Sequence, residues 1–196
     1  MGLGKQAKTL TKAQVDAALN YLSRSRYPVR NRVILLLSVK AGLRAKEIAC
    51  LTWDMATASD GEIGTAIHLT NLASKGRGGG RVIPLNRELR TALFSLRQMR
   101  SRGRPSSFVV TTERTTRTSP QAIVNLFSRW YRDLGFSGCS SHSGRRTFIT
   151  NAARKISTVG GSLRDIQMLA GHSNLSTTQR YIESDGEAQR KIVELV

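Results

Sequence analysis

"GEIGTAIHLTNLASKGRGGGRVIPL", residues 61 to 85, changes period inside a chain that otherwise repeats like a helix. Ile63, Thr65, Ile67 and Leu69 alternate, so an extended backbone would carry the apolar members on one face. "RVIPL" (81–85) reads as a second strand. Between them, "TNLASKGRGGGR" holds four glycines and several basic side chains, which describes a mobile, positively charged hairpin connection. One small antiparallel sheet is therefore expected within this segment.

Working outward, the flanks are helical. Toward the N-terminus, "AGLRAKEIACLTW" (41–53) has Gly42 positioned to end one helix, with a short helix after it turning Ile48 and Leu51 inward. Before it, Pro28 suits the first turn of a helix whose Val33–Leu37 run implies deep burial. Thr11 with Gln14 forms a capping box ahead of Val15, Ala18, Leu19 and Leu22 at helical spacing. Residues 1–10 read as a flexible start. Toward the C-terminus, Leu89, Ala92, Leu93, Leu96 and Met99 restore the helical period, and "SFVV" (107–110) is a candidate short strand. A basic, threonine-rich loop follows. Ile123, Leu126, Phe127, Trp130, Tyr131 and Leu134 then make the clearest amphipathic helix. A helix is expected within residues 140–155, and Ser162 with Asp165 caps another over "LRDIQMLA". The fold class is mostly α with a small antiparallel β-sheet (α+β), in a single domain over residues 11–196 with no internal repeat.

The charge is the second signal. Among 196 residues, 31 Lys and Arg face 13 Asp and Glu, a net charge of +18, and 23 of the cations are arginine. Such an excess acts at a distance on polyanions, and arginine favours forked contacts to phosphate. Eleven basic and two acidic residues lie between Lys75 and Arg117, so the charge is concentrated as well as large. Nucleic acid is the expected partner. Two cysteines, Cys50 and Cys139, provide neither a disulfide framework nor zinc-ligand spacing with His68, His142 and His172. They are expected to be reduced thiols of a cytoplasmic protein, Cys50 in the core. No signal peptide is recognised, and no apolar run approaches the roughly 18 residues needed to span a membrane.

Four places combine reactive polar groups with apolar neighbours: Arg44, Lys75, His142 with Arg145, and His172 with Tyr181. His142 and Arg145 are three apart and would share a helical face, a pairing that suits a phosphate. Each residue also has an ordinary reading. Arg44 pairs readily with Glu47 at i,i+3, Lys75 is one hairpin charge, and Arg145 belongs to a basic run with Arg146. His142 could neighbour a helix cap, and a lone tyrosine is usually an aromatic of the core or surface.

Together these segments resemble the catalytic domain of the tyrosine recombinase (phage integrase) family. "AGLRAKEIACLTWDM" is similar to its first arginine motif, "SKGRGGGRVIPL" to its lysine-bearing strand-turn-strand, "SHSGRRTFIT" to its His-x-x-Arg motif, and "LAGHSNLSTTQRYI" to its closing tyrosine motif. The four occur in order, with 101 residues from Arg44 to Arg145, 36 more to Tyr181, and nine from His172 to Tyr181. The resemblance implies site-specific cleavage and rejoining of double-stranded DNA through a covalent 3′-phosphotyrosyl link. Tyr181 would be the nucleophile, Arg44 and Arg145 the clamp on the phosphate, His142 the proton acceptor, Lys75 the acid for the leaving 5′ oxygen, and His172 a hydrogen-bond donor to the phosphate. Glu47 would support Arg44, and Lys46, Arg77, Arg81 and Arg146 would contact DNA. No cofactor or metal is implied, since arginines would do the work of magnesium.

The resemblance further implies a DNA-associated protein encoded by a bacterium, archaeon, phage or plasmid, working as a synapse of four protomers, which is compatible with a monomer in solution. The terminal "EAQRKIVELV" would dock on a neighbouring subunit or cap its own core. Three features depart from the family pattern. Gly144 and Arg146 stand where an apolar residue and a histidine are usual, with Gly144 expected to weaken its helix by up to about 1 kcal/mol. Lys46 replaces a small residue. Arg44 also comes too early for the usual N-terminal helical domain, which implies either an excised catalytic domain or a compact natural form, and in both cases weaker DNA binding. A type IB topoisomerase, a telomere resolvase and a non-catalytic basic DNA-binding domain are the competing readings.

Overall fold

A computed structural model describes residues 6–74, 80–100, 106–113, 115–181 and 193–194. The chain divides into two compact units, residues 1–148 and 149–196.

In the first unit the order is α1 (Lys12–Ser23), α2 (Pro28–Ala41), α3 (Ala45–Cys50), β1 (Ala66–Leu69), β2 (Arg81–Pro84), α4 (Arg87–Arg100) and α5 (Pro120–Asp133). The helix α6 (Ser143–Lys155) begins in this unit and ends in the second. The expected capping box is present: Gln14 N–H donates to Thr11 Oγ1 and Thr11 N–H to the Gln14 side chain. Pro28 starts α2, and Gly42 ends it at φ 65°, a left-handed conformation that glycine adopts without strain. The middle of α2 is apolar on every side: Val33 through Leu37 are fully buried, as the centre of a helix packed by α1, α3 and α4 must be. The aromatic face of α5 closes the core, with Phe127 edge-on to Trp130 at 5.4 Å between ring centroids.

The sheet is two antiparallel strands, Ala66 opposite Pro84 and Leu69 opposite Arg81. β1 is shorter than the alternation suggested, because Ile63 is taken up in a single bridge to Thr57. The basic connection, including Lys75 and Arg77, lies outside the described residues.

Five local expectations change. Residues 107–110 form no strand; Phe108 makes one bridge to Thr52, and Val109 and Val110 are buried from an irregular backbone. Met99 is 61% exposed at the end of α4, beyond the reach of the core. Cys50 is half-buried rather than enclosed, with Arg117 3.5 Å from its sulfur. Residues 6–10 are docked: Lys8 N–H donates to Gly138 O, and buried Leu10 donates its N–H to Thr147 Oγ1 at 2.7 Å. Gly144 does more than loosen its helix. A Cβ there would lie 2.3 Å from Ser38 Oγ and 3.0 Å from Val39 Cγ1, so glycine is what lets α6 approach α2.

In the second unit the end of α6 passes through a 3-10 turn, Ile156–Val159, to α7 (Leu163–Ala170) and α8 (Leu175–Gln179). The Asp165 carboxylate accepts from both Ser162 N–H and its hydroxyl, the expected cap of α7. Those bonds hold its carboxyl below the ordinary aspartate value. Gly171 ends α7 in the left-handed region at φ 62°. The terminal "EAQRKIVELV" lies outside the described residues except Val193 and Glu194. Among the described residues no helix is long and apolar enough to cross a membrane.

Candidate active site

In the first unit, Glu47 organises the charged residues. It occupies the third position of α3, and one carboxylate oxygen accepts the Arg44 N–H at 2.7 Å, capping the helix from inside. The other oxygen accepts from Arg44 Nη1 at 2.9 Å. Arg81, arriving from β2, grips the same carboxylate with both terminal nitrogens at 2.8 and 2.9 Å. The Glu47 side chain is 1% exposed and that of Arg81 9%, so the pair sits in a low dielectric. Burial alone would push the Glu47 carboxyl up. The hydrogen bonds and charge of Arg81, with the amide and charge of Arg44, outweigh it and hold the carboxyl below the ordinary glutamate value. Glu47 therefore remains a carboxylate that anchors Arg44.

Arg44 keeps 26% of its side chain exposed, and among the described residues Glu47 is the only acceptor its guanidinium meets. A guanidinium carries five donors, so most of the fork is available to a phosphate. Arg81 differs from the sequence expectation: its guanidinium is turned onto Glu47 rather than presented as a DNA contact. The clue was in the strand period. Arg81 and Ile83 share one face of β2 and Val82 the other, and Ile83 is buried while Val82 is exposed. Lys46, one residue before Glu47, is exposed.

Arg145 lies in the first turn of α6, 2% exposed, and donates to the Gly42 carbonyl at 2.6 Å. The residue that ends α2 thus also holds the second arginine next to the segment carrying the first. A Cβ at Gly42 would lie 2.5 Å from the Phe148 ring, so this corner is closed to any larger residue. His142 does not share a helical face with Arg145. It precedes the helix, is exposed, and its carbonyl accepts Arg146 N–H at 2.9 Å. Arg146, expected to contact DNA, is half-buried and bonds Gln6 and the Ala7 carbonyl, fastening residues 6–7 to α6.

In the second unit, His172 and Tyr181 are together. Their rings stack with centroids 5.3 Å apart and planes 22° from parallel. His172 follows Gly171, its N–H bonded to Gln167 O at 3.1 Å and its carbonyl to Gln167 Nε2 at 3.0 Å. The residue is 8% exposed and its Nδ1 lies 2.9 Å from Thr178 Oγ1. Tyr181 lies two residues past the end of α8, half-buried. Its N–H donates to Thr178 O at 3.0 Å, and its carbonyl accepts from Thr150 Oγ1 at 3.0 Å. Thr178 lies in the closing motif between His172 and Tyr181, and the motif alone gives it no role. Its place three residues before Tyr181 was the available signal.

Comparison with known proteins adds the relationship. Tyrosine recombinase XerA of Thermococcus kodakarensis is 30% identical over 191 residues, which are 95% of this chain and 62% of that protein. The chain spans about three fifths of the length of the curated relatives it matches first. The crystal structure of XerA recombinase superposes with a TM-score of 0.74 at 21% identity, over 95% of this chain and 64% of that one. The Tn1549 transposon integrase in complex with a circular intermediate DNA gives 0.76 at 20% identity, over 99% and 67%. These two likenesses show a common fold. The sequence model of the phage integrase family matches residues 8–187, from the docked N-terminal segment to beyond Tyr181, and the chain belongs to that family.

Proposed function

We propose that this chain is the catalytic part of a site-specific DNA recombinase that cleaves and rejoins DNA strands through Tyr181. The observation that carries the reading is the stacked His172–Tyr181 pair of the second unit, in a chain matched by the family model whose first unit separately fixes two arginines through Glu47 and Gly42. In the reaction the Tyr181 phenolic oxygen attacks phosphorus, a new phosphorus–oxygen bond forms, and the bond to the 5′ oxygen breaks. The phenolic proton passes to His142, and Lys75 returns a proton to the departing 5′ oxygen. Arg44 and Arg145 bind the non-bridging oxygens, where negative charge grows in the transition state, and His172 donates a hydrogen bond to the same phosphate. The phosphotyrosyl link conserves the ester, so an incoming 5′-hydroxyl reverses the step.

The partner is double-stranded DNA. A net charge of +18 supplies the attraction, and Lys46 and Arg77 are the proposed backbone contacts. Strand exchange takes place in an assembly of several copies on DNA. The Tn1549 integrase among the structural neighbours is itself bound to DNA, which supports the partner class.

The test uses nicked duplexes with a randomised core, incubated with the protein and then denatured in detergent. Expected is a covalent protein–DNA adduct that is lost in Tyr181→Phe while non-covalent DNA binding persists. Absence of an adduct from the randomised pool, or equal adduct from the phenylalanine variant, refutes the proposal.

A further inference from the structure

We infer that Thr178 is a positioning residue that fixes the proton of His172 on Nε2 and ties that ring to the Tyr181 backbone. The inference rests on the proposed cleavage reaction for its consequence, but its physical basis is separate. The Thr178 hydroxyl is fully buried, and among the described residues His172 Nδ1 at 2.9 Å is its only hydrogen-bond partner. A hydroxyl has one proton to give and can also accept. If Nδ1 carried the ring proton, the hydroxyl would accept it and its own O–H would be buried without an acceptor, which is costly. If Nδ1 is bare, the O–H donates to it and both atoms of the contact are satisfied. The second arrangement places the imidazole proton on Nε2, making that nitrogen a donor for a phosphate oxygen.

The same residue serves Tyr181. Its carbonyl accepts the Tyr181 N–H at 3.0 Å, so one buried side chain and one carbonyl of Thr178 reach both members of the stacked pair. The far side of His172 is set independently: Arg164 Nη1 bonds Gln167 Oε1 at 2.9 Å, and Gln167 Nε2 bonds the His172 carbonyl at 3.0 Å. Backbone placement therefore comes from α7 and ring tautomer from α8. Removing the α8 hydroxyl should change the ring and leave the backbone in place.

The experiment pairs imidazole nitrogen-15 spectra with single-turnover adduct formation in wild type, Thr178→Ser and Thr178→Val. Spectra are taken above the histidine titration range, where they show which ring nitrogen holds the proton. Expected are an Nε2 proton on His172 in wild type and in the serine variant, and a mixture of tautomers in the valine variant. Adduct formation is expected to slow roughly 10- to 100-fold for valine, taking as a guide the loss when the partner orienting a metal-bound histidine is removed, and to recover with serine. An Nδ1 proton in the wild type overturns the inference without any variant having to fold. An unaltered tautomer in the valine variant, unaltered cleavage by it, or failure of serine to restore cleavage also overturns it. A Tyr181-independent result in the adduct assay refutes the proposed reaction instead, while the wild-type spectrum still decides the tautomer.

Discussion

Replacing Glu47 by glutamine preserves shape and removes a single charge, so it isolates the electrostatic anchor of Arg44. The native carboxylate is 1% exposed and receives four N–H bonds, two from Arg81 and two from Arg44. The variant leaves the Arg81 guanidinium, 9% exposed, without its counter-charge. Breaking a buried pair in this way costs about 3–5 kcal/mol, while Arg44, 26% exposed, adds little because solvent screens it. For a chain of this size that loss lowers Tm by about 6–20 °C. The folded carboxyl lies below its unfolded value of about 4.3, so its stabilisation is present above that pH and is lost as pH falls through the folded value. Calorimetry of wild type and variant from pH 7 to pH 3 measures both effects, the two curves converging at the acid end. Adding Arg81→Met removes the orphaned charge and should recover part of the loss, which a double-mutant cycle quantifies. A Tm loss under about 2 °C at pH 7, or no recovery in the double variant, refutes the reasoning.

Gly144→Ala gains helix propensity but drives a methyl against Ser38 and Val39. The net effect expected is a loss of about 1–2 kcal/mol by denaturant titration, whereas a gain would show that α2 gives way easily. Thr147→Val takes the acceptor from buried Leu10 N–H and should cost about 1–3 kcal/mol and speed exchange of that amide, which hydrogen-exchange measurements read directly. Affinity for non-specific duplex should fall steeply with salt: even three neutralised phosphates give a log–log slope of about −2.7 in a fluorescence titration, and a flat response would exclude phosphate-led binding.

Much of this protein was legible in its sequence because the governing interactions are local. The change from a 3.6-residue to a 2-residue repeat marked the sheet, Thr11–Gln14 and Ser162–Asp165 marked helix starts, and Gly42 marked a helix end, since caps and left-handed turns depend on neighbours three or four residues away. The ordered motifs singled out Arg44, Arg145, His172 and Tyr181 as candidates. Tertiary structure alone decided what those residues touch. Arg81 meets Glu47 across 34 residues, Arg145 meets Gly42 across 103, and Leu10 meets Thr147 across 137. None of these separations leaves a periodic trace, because a buried charge or amide takes whichever partner packing brings within reach and cannot be left unpaired. For that reason Gly144 read as a weak helix position until α2 was seen against it. For the same reason Arg81 read as a surface cation until Glu47 was found enclosed beside it.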